Sequence, residues 1–99
     1  MSDSIKVRIE RSGDLATVRV LINHPMLAAQ QAEATDGAHF ITDLEIERAG
    51  AIVLRADWGP GIARNPLVVF RCQAAAASSE LRIRWRDNRG GRDEFTVSL

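Results

Sequence analysis

The sequence predicts an all-β sandwich of about seven short antiparallel strands. Three observations carry that expectation. Apolar and polar residues alternate with a period of two through most of the apolar stretches, the pattern of a strand with one buried face. Turn signals built on Gly, Pro, Asn and Asp recur every eight to twelve residues. No segment shows the sustained i, i+3, i+4 apolar spacing of an amphipathic helix.

Ile5, Val7 and Ile9 alternate with Lys6, Arg8 and Glu10, and Ser12-Gly13-Asp14 turns the chain. Ala16, Val18, Val20 and Ile22 then alternate with Thr17, Arg19 and Leu21, so the first two strands read as a hairpin. Asn23-His24-Pro25-Met26 ends the second strand. Residues 27–36 have helix-forming composition without apolar period and read as a loop holding one helical turn. Such long irregular segments carry function more often than strands do. From His39 to Arg48 alternation resumes, with Phe40, Leu44 and Ile46 on one face and Asp43, Glu45 and Glu47 on the other. Ala49-Gly50 leads into Ile52, Leu54, Ala56 and Trp58, set against Val53, Arg55 and Asp57.

The stretch Trp58 to Phe70 reads as buried strand, rigid corner, buried strand. Trp58 is large enough to anchor a core. Gly59-Pro60-Gly61 and Asn65-Pro66 break regular structure, because proline fixes φ and restricts the residue before it. Leu67 to Phe70 is a run of β-formers, and Cys72 continues the inward phase of Val68 and Phe70. Residues 74–79 are small and polar, a loop or a brief helical turn. Leu81, Ile83 and Trp85 face opposite to Arg82, Arg84 and Arg86. Asp87-Asn88-Arg89-Gly90-Gly91 is a hairpin turn, and Phe95 and Val97 close the core. Together these make an immunoglobulin-like β-sandwich without the Cys–Trp–Cys arrangement of immunoglobulin domains.

Ninety-nine residues, 45% of them hydrophobic, make one domain spanning 1–99 with a core that needs no metal or disulfide. Thirteen basic and thirteen acidic residues cancel, which argues against a nucleic-acid-binding surface. Cys72 is the sole cysteine, so no internal disulfide forms. Met-Ser-Asp-Ser runs straight into a strand, with no secretion leader and no apolar stretch fit for membrane insertion, so an exported location requires a partner that carries the chain out.

Candidate chemistry is sparse. His24 and His39 flank the long loop and fit loop hydrogen bonds; a metal site would need a third ligand, with Asp36 and Asp43 the acids nearest in sequence. Cys72 lies in phase with the core, where cysteine behaves as a small hydrophobe rather than a nucleophile. The arginine stripe Arg82-Arg84-Arg86 and the acidic stripe Asp43-Glu45-Glu47 share one period and read as solvated faces or a cross-strand ladder, or else leave a surface for an anion or an acidic partner. Asp87 caps its own turn. No catalytic triad, phosphate loop or dinucleotide fingerprint is present.

A series of short motifs carries a resemblance. His24-Pro25-Met26 after a Val-Arg-Val-Leu strand, Ala38-His39-Phe40-Ile41, Trp58-Gly59-Pro60, Asn65-Pro66 and Trp85-Arg86-Asp87-Asn88 with Asp93-Glu94 together resemble the SoxZ family. These are the smaller subunits of the SoxYZ sulfur-carrier complexes of bacterial thiosulfate oxidation. The resemblance implies a non-catalytic sandwich, without cofactor, in a heterodimer with a SoxY-like subunit. That subunit bears the sulfur-carrying cysteine on a carboxy-terminal arm and the export signal that takes both chains to the periplasm. Indirect partners are the other thiosulfate-oxidation enzymes; a homo-oligomer is the expectation for the isolated chain. The partner surface is expected at His24, Pro25, Met26, His39, Trp58, Pro60, Arg64, Asn65 and Pro66. The loop departs from the family pattern: Leu27-Ala28-Ala29-Gln30-Gln31 stands where the family continues Glu-Thr-Gly and a basic pair, and Gly37 leads directly into Ala38. A carrier that serves a different dehydrogenase system, or a generic homodimeric interaction domain, is the alternative reading.

Overall fold

The computed structural model describes residues 3–27, 37–59, 61–73 and 79–99. Seven strands follow one another: β1 (Ile5–Ser12), β2 (Leu15–Ile22), β3 (Ile41–Arg48), β4 (Ala51–Asp57), β5 (Leu67–Gln73), β6 (Glu80–Asp87) and β7 (Arg92–Ser98). They form a three-stranded sheet ordered β1-β2-β5 and a four-stranded sheet ordered β4-β3-β6-β7, with every pairing antiparallel. This is the expected all-β sandwich. Among the described residues no helix is long and apolar enough to cross a membrane.

Alternation places the core. Ala16, Val18, Val20 and Ile22 from β2 meet Leu44 and Ile46 from β3 and Leu81, Ile83 and Trp85 from β6, all buried. Val68, Phe70 and Cys72 on β5 and Phe95 and Val97 on β7 pack half-buried against them. Burying a Leu, Ile or Val side chain contributes about 1.5–3 kcal/mol, so the cluster is the main source of stability. The edge strands β1 and β7 pack against each other. β5 and β4 are therefore the edges of the opposite flank.

Two bulges explain where simple alternation fails. In β3, Ile41 pairs with Asp87 but Asp43 pairs with Arg86, so Thr42 is an extra residue. The phase flips there, and Ile41 joins the core although Asp43 points outward. In β4, Ile46 opposes Leu54 while Glu47 opposes Ile52, which leaves Val53 as the extra residue. Ile52, expected inside, is instead half exposed beside Val53. The intervening turn Ala49-Gly50 has positive φ at both residues, the two-residue geometry that suits a twisted hairpin.

The core indole is Trp85, not Trp58. Trp85 is 7% exposed, whereas Trp58 is only half-buried against the cluster's rim. Trp58 follows the edge strand β4, and its N–H extends the ladder to Thr42 O at 2.8 Å. The corner after it joins two edge strands rather than two buried ones. The helical turns expected within 27–36 and 74–79, apart from Leu27 and Ser79, lie outside the described residues.

The matched charge stripes do form a ladder. Asp43, Glu45 and Glu47 stand opposite Arg86, Arg84 and Arg82 across β3 and β6. Arg86 holds Asp43 with Nε and Nη2 at 3.1 and 3.0 Å, and Arg84 reaches both Glu45 and Glu47. Burial pushes the Asp43 carboxyl up, but hydrogen bonds from Arg86 and Thr42 outweigh it and hold it below the usual range.

Candidate functional site

The expected site residues gather around a carboxylate that the sequence reading assigned only to a turn. At the start of the β6–β7 turn, Asp87 Oδ1 accepts backbone N–H groups from Arg89 at 3.0 Å and Gly91 at 2.6 Å. That is the expected cap. Its other oxygen, Oδ2, lies 3.1 Å from His24 Nε2 and 2.8 Å from His39 Nε2. The bulge at Thr42 makes this possible, because it pairs Asp87 with Ile41 and brings the segment carrying His39 alongside the turn. Of the three side chains, only that of His39 keeps appreciable exposure, at 25%, against 3% for His24 and for Asp87.

His24 has a defined tautomer. The Met26 N–H donates to His24 Nδ1 at 3.1 Å, so the ring proton sits on Nε2 and is donated to Asp87. Met26 itself adopts a left-handed φ of 49°, unusual for a residue with a Cβ. Its Sδ accepts the Ile41 N–H at 3.3 Å, which helps hold the turn closed. The His24 ring meets His39 and Trp85 edge-on, with centroids 4.5 and 5.2 Å away. Burial is the main reason the His24 pKa falls below its ordinary value, against the opposing pull of Asp87. Burial would raise the Asp87 carboxyl, yet the bonds from His24, His39, Gly91 and Arg89 bring it down to about 2. The resting state is thus a neutral His24 beside an ionised Asp87.

The remaining expected residues divide. Asn65 closes on His24: its N–H donates to His24 O at 2.9 Å, and its Oδ1 accepts the His24 N–H at 3.1 Å. Its left-handed φ of 53° is one asparagine tolerates. Pro66 is buried, and its carbonyl accepts the Ile22 N–H. Pro25 and Arg64 are exposed, and Trp58 lies at the core rim. Pro60 lies outside the described residues. Besides Asp87, the sequence reading missed Asn88 and Arg89 as clasps. Asn88 accepts the Phe40 N–H and donates to Ala38 O, while Arg89 donates to the carbonyls of Ala38 and Gly37. Their signal was the Trp85–Asn88 motif itself, which spans core, carboxylate and clasp.

Among the described residues, His24, His39 and Asp87 form a group that could hold a metal, since one donor atom from each lies within 4.8 Å of the others. Asp87, rather than Asp36 or Asp43, is the third group; Asp36 lies outside the described residues and Asp43 is engaged by Arg86. The donor chemistry does not favour that use. A neutral imidazole that binds metal through Nε2 carries its proton on Nδ1. Here Nδ1 already receives the Met26 N–H, so metal at Nε2 would set two donors against each other. Cys72 pairs with Ala16, at the far end of β2 from His24. The cluster locks three chain segments together.

The family model for the sulphur oxidation protein SoxZ matches residues 5–98. The chain belongs to the SoxZ family. Membership makes it a sulfur-oxidation protein, a subunit of a carrier complex whose family partner is SoxY. Among curated proteins, none matches the sequence. Solved structures share the sandwich. A superoxide reductase in its oxidised state superposes with a TM-score of 0.69 at 19% identity, over 99% of this chain and 88% of its own. The superoxide reductase (neelaredoxin) of Archaeoglobus fulgidus gives 0.67 at 20%, over 96% and 87%. A hypothetical protein of Pyrococcus horikoshii gives 0.67 at 22%, over 99% and 88%. At such identities the likeness is one of fold.

Proposed function

We propose that this SoxZ-family chain is the non-catalytic scaffold of a SoxYZ-type heterodimer. It holds the SoxY-like subunit, whose carboxy-terminal cysteine carries sulfur intermediates during thiosulfate oxidation, and it travels to the periplasm with that signal-bearing subunit. The family match over residues 5–98 carries the reading. The corner at Asp87 is consistent with it. Both carboxylate oxygens and the buried imidazole are committed to holding the chain's own segments, which leaves little to act on a substrate. The half-buried Cys72, in phase with the core, is poorly placed for a carrier thiol that must visit other enzymes.

Co-expression with a SoxY-like subunit is the test. A one-to-one complex should co-purify and appear in the periplasmic fraction only when the partner's signal is intact. Recovery no better than with an unrelated secreted control would end the proposal. In the purified complex, His39→Gln should leave sulfur loading of the carrier cysteine unchanged, whereas loss of loading with the complex intact would give this chain a chemical role.

A further inference from the structure

The outer face of the three-stranded sheet can be read in rows across β1, β2 and β5. Lys6, Leu21 and Leu67 form one row, and Arg8, Arg19 and Val69 the next. Glu10, Thr17 and Arg71 form a third. Leu21, Leu67 and Val69 are thus contiguous, and they are 39, 58 and 50% exposed. Around them stand four cations against one acid, in a chain whose charges cancel in total. Arg8 directly opposes Arg19, a like-charge pairing that opposes folding, and Arg19 leans to Glu10 at 2.9 Å. The first row continues into a recess of about 190 Å³ lined by Ser4, Lys6, Leu21, Asn23 and Asn65, next to the His24 corner.

Among the described residues, the other candidate surfaces lack this character. On the outer face of the four-stranded sheet, Arg82, Arg84 and Arg86 already pair with acids of the same face. The exposed Ile52 and Val53 sit on the bulged edge strand β4, without a cationic row of this kind.

We propose that the Leu21–Leu67–Val69 face with its basic rim is the docking surface for the carrier subunit, which meets it with an apolar strand face flanked by Asp or Glu. The inference rests on the heterodimer reading above and locates the contact. Charge selects this occupant over a second copy of the chain: self-pairing through a two-fold axis would set the same cations against one another, whereas an acidic rim relieves the Arg8–Arg19 opposition. The three apolar side chains expose on the order of 250 Å², about a third of one side of a standard interface. Arginine stems and the Asn23–Asn65 recess extend it.

The test uses titration calorimetry of the full chain against the purified SoxY-like subunit. Leu67→Arg with Val69→Arg should weaken binding by about tenfold or more, with unchanged circular dichroism and melting temperature. Arg8→Glu should weaken binding and flatten its salt dependence. Ile52→Arg with Val53→Arg should bind within about twofold of wild type. Wild-type affinity in the Leu67/Val69 variant would overturn the assignment while leaving the heterodimer standing. So would a wild-type homodimer that Leu67→Arg dissolves without changing affinity for the subunit. Failure of the wild-type chain to bind at all would instead remove the heterodimer reading, and this inference with it.

Discussion

Asp87 satisfies four donors from one side chain: two imidazoles through Oδ2 and two backbone amides through Oδ1. Removing an acceptor costs most when the donors left behind are buried. Asp87→Ala should therefore destabilise the protein by about 3–5 kcal/mol, seen as a large fall in urea midpoint. His39→Ala, which deletes one partly exposed donor and leaves Oδ2 its bond from His24, should cost about 1 kcal/mol. Equal midpoints for the two variants would contradict the network. Gly91 is bound to the same carboxylate, since a Cβ there would lie 2.5 Å from Asp87 Oδ2. Gly91→Ala should push the carboxylate from the imidazoles, and the His24 and His39 ring resonances should shift together. The pH dependence has a definite sign. His24 has a folded pKa below its ordinary 6.5, so the unfolded chain protonates first and stability falls as pH drops below about 6.5. Asp87 titrates at about 2 when folded against an ordinary 3.8, so its contribution is present above 3.8 and lost on the way down to about 2. Urea midpoints should hold above pH 7 and decline in two stages, and His24→Asn should abolish the first stage.

At the scale of strands, the two tryptophans separate the roles of β4 and β6. Trp85 lies on a central strand, and its Nε1–H donates to Ser4 Oγ at 3.0 Å, tying the chain's start to the core. Trp85→Ala should cost about 3–5 kcal/mol and Trp58→Ala roughly half that or less, read from thermal unfolding of each variant. The reverse order would restore Trp58 as anchor. This contrast also marks what the sequence could convey. Alternation identified Leu81, Ile83, Trp85 and the charge ladder, because a period of two is a local property of each strand. It could not rank Trp58 below Trp85, since edge and central positions depend on strand order. It could not place Ile41 or Ile52 either, because one extra residue in a bulge reverses every later side chain. The His24–Asp87–His39 contact was illegible for a further reason: it joins residues 63 and 48 positions apart, and neither histidine carries a local mark of its acceptor.

For the whole molecule, the decisive feature is an uneven spread of charge over a chain with none in total. One outer sheet face neutralises itself through the Arg84 and Arg86 ion pairs. The other keeps four cations and one acid around exposed leucine and valine. Salt acts on these two arrangements differently. Exposed intramolecular pairs contribute about 0–1 kcal/mol each, so screening them should shift the melting temperature of the isolated chain by only a few degrees between about 0.05 and 0.5 M salt. Association steered by an unbalanced basic face should slow over the same range by about tenfold, with the dissociation rate nearly constant. Stopped-flow mixing with the SoxY-like subunit separates the two rates. A salt-independent association rate would mean that the cations of β1, β2 and β5 do not face the approaching partner. A melting temperature that collapsed with salt would mean that the ladder, rather than the apolar cluster between the sheets, holds the sandwich together.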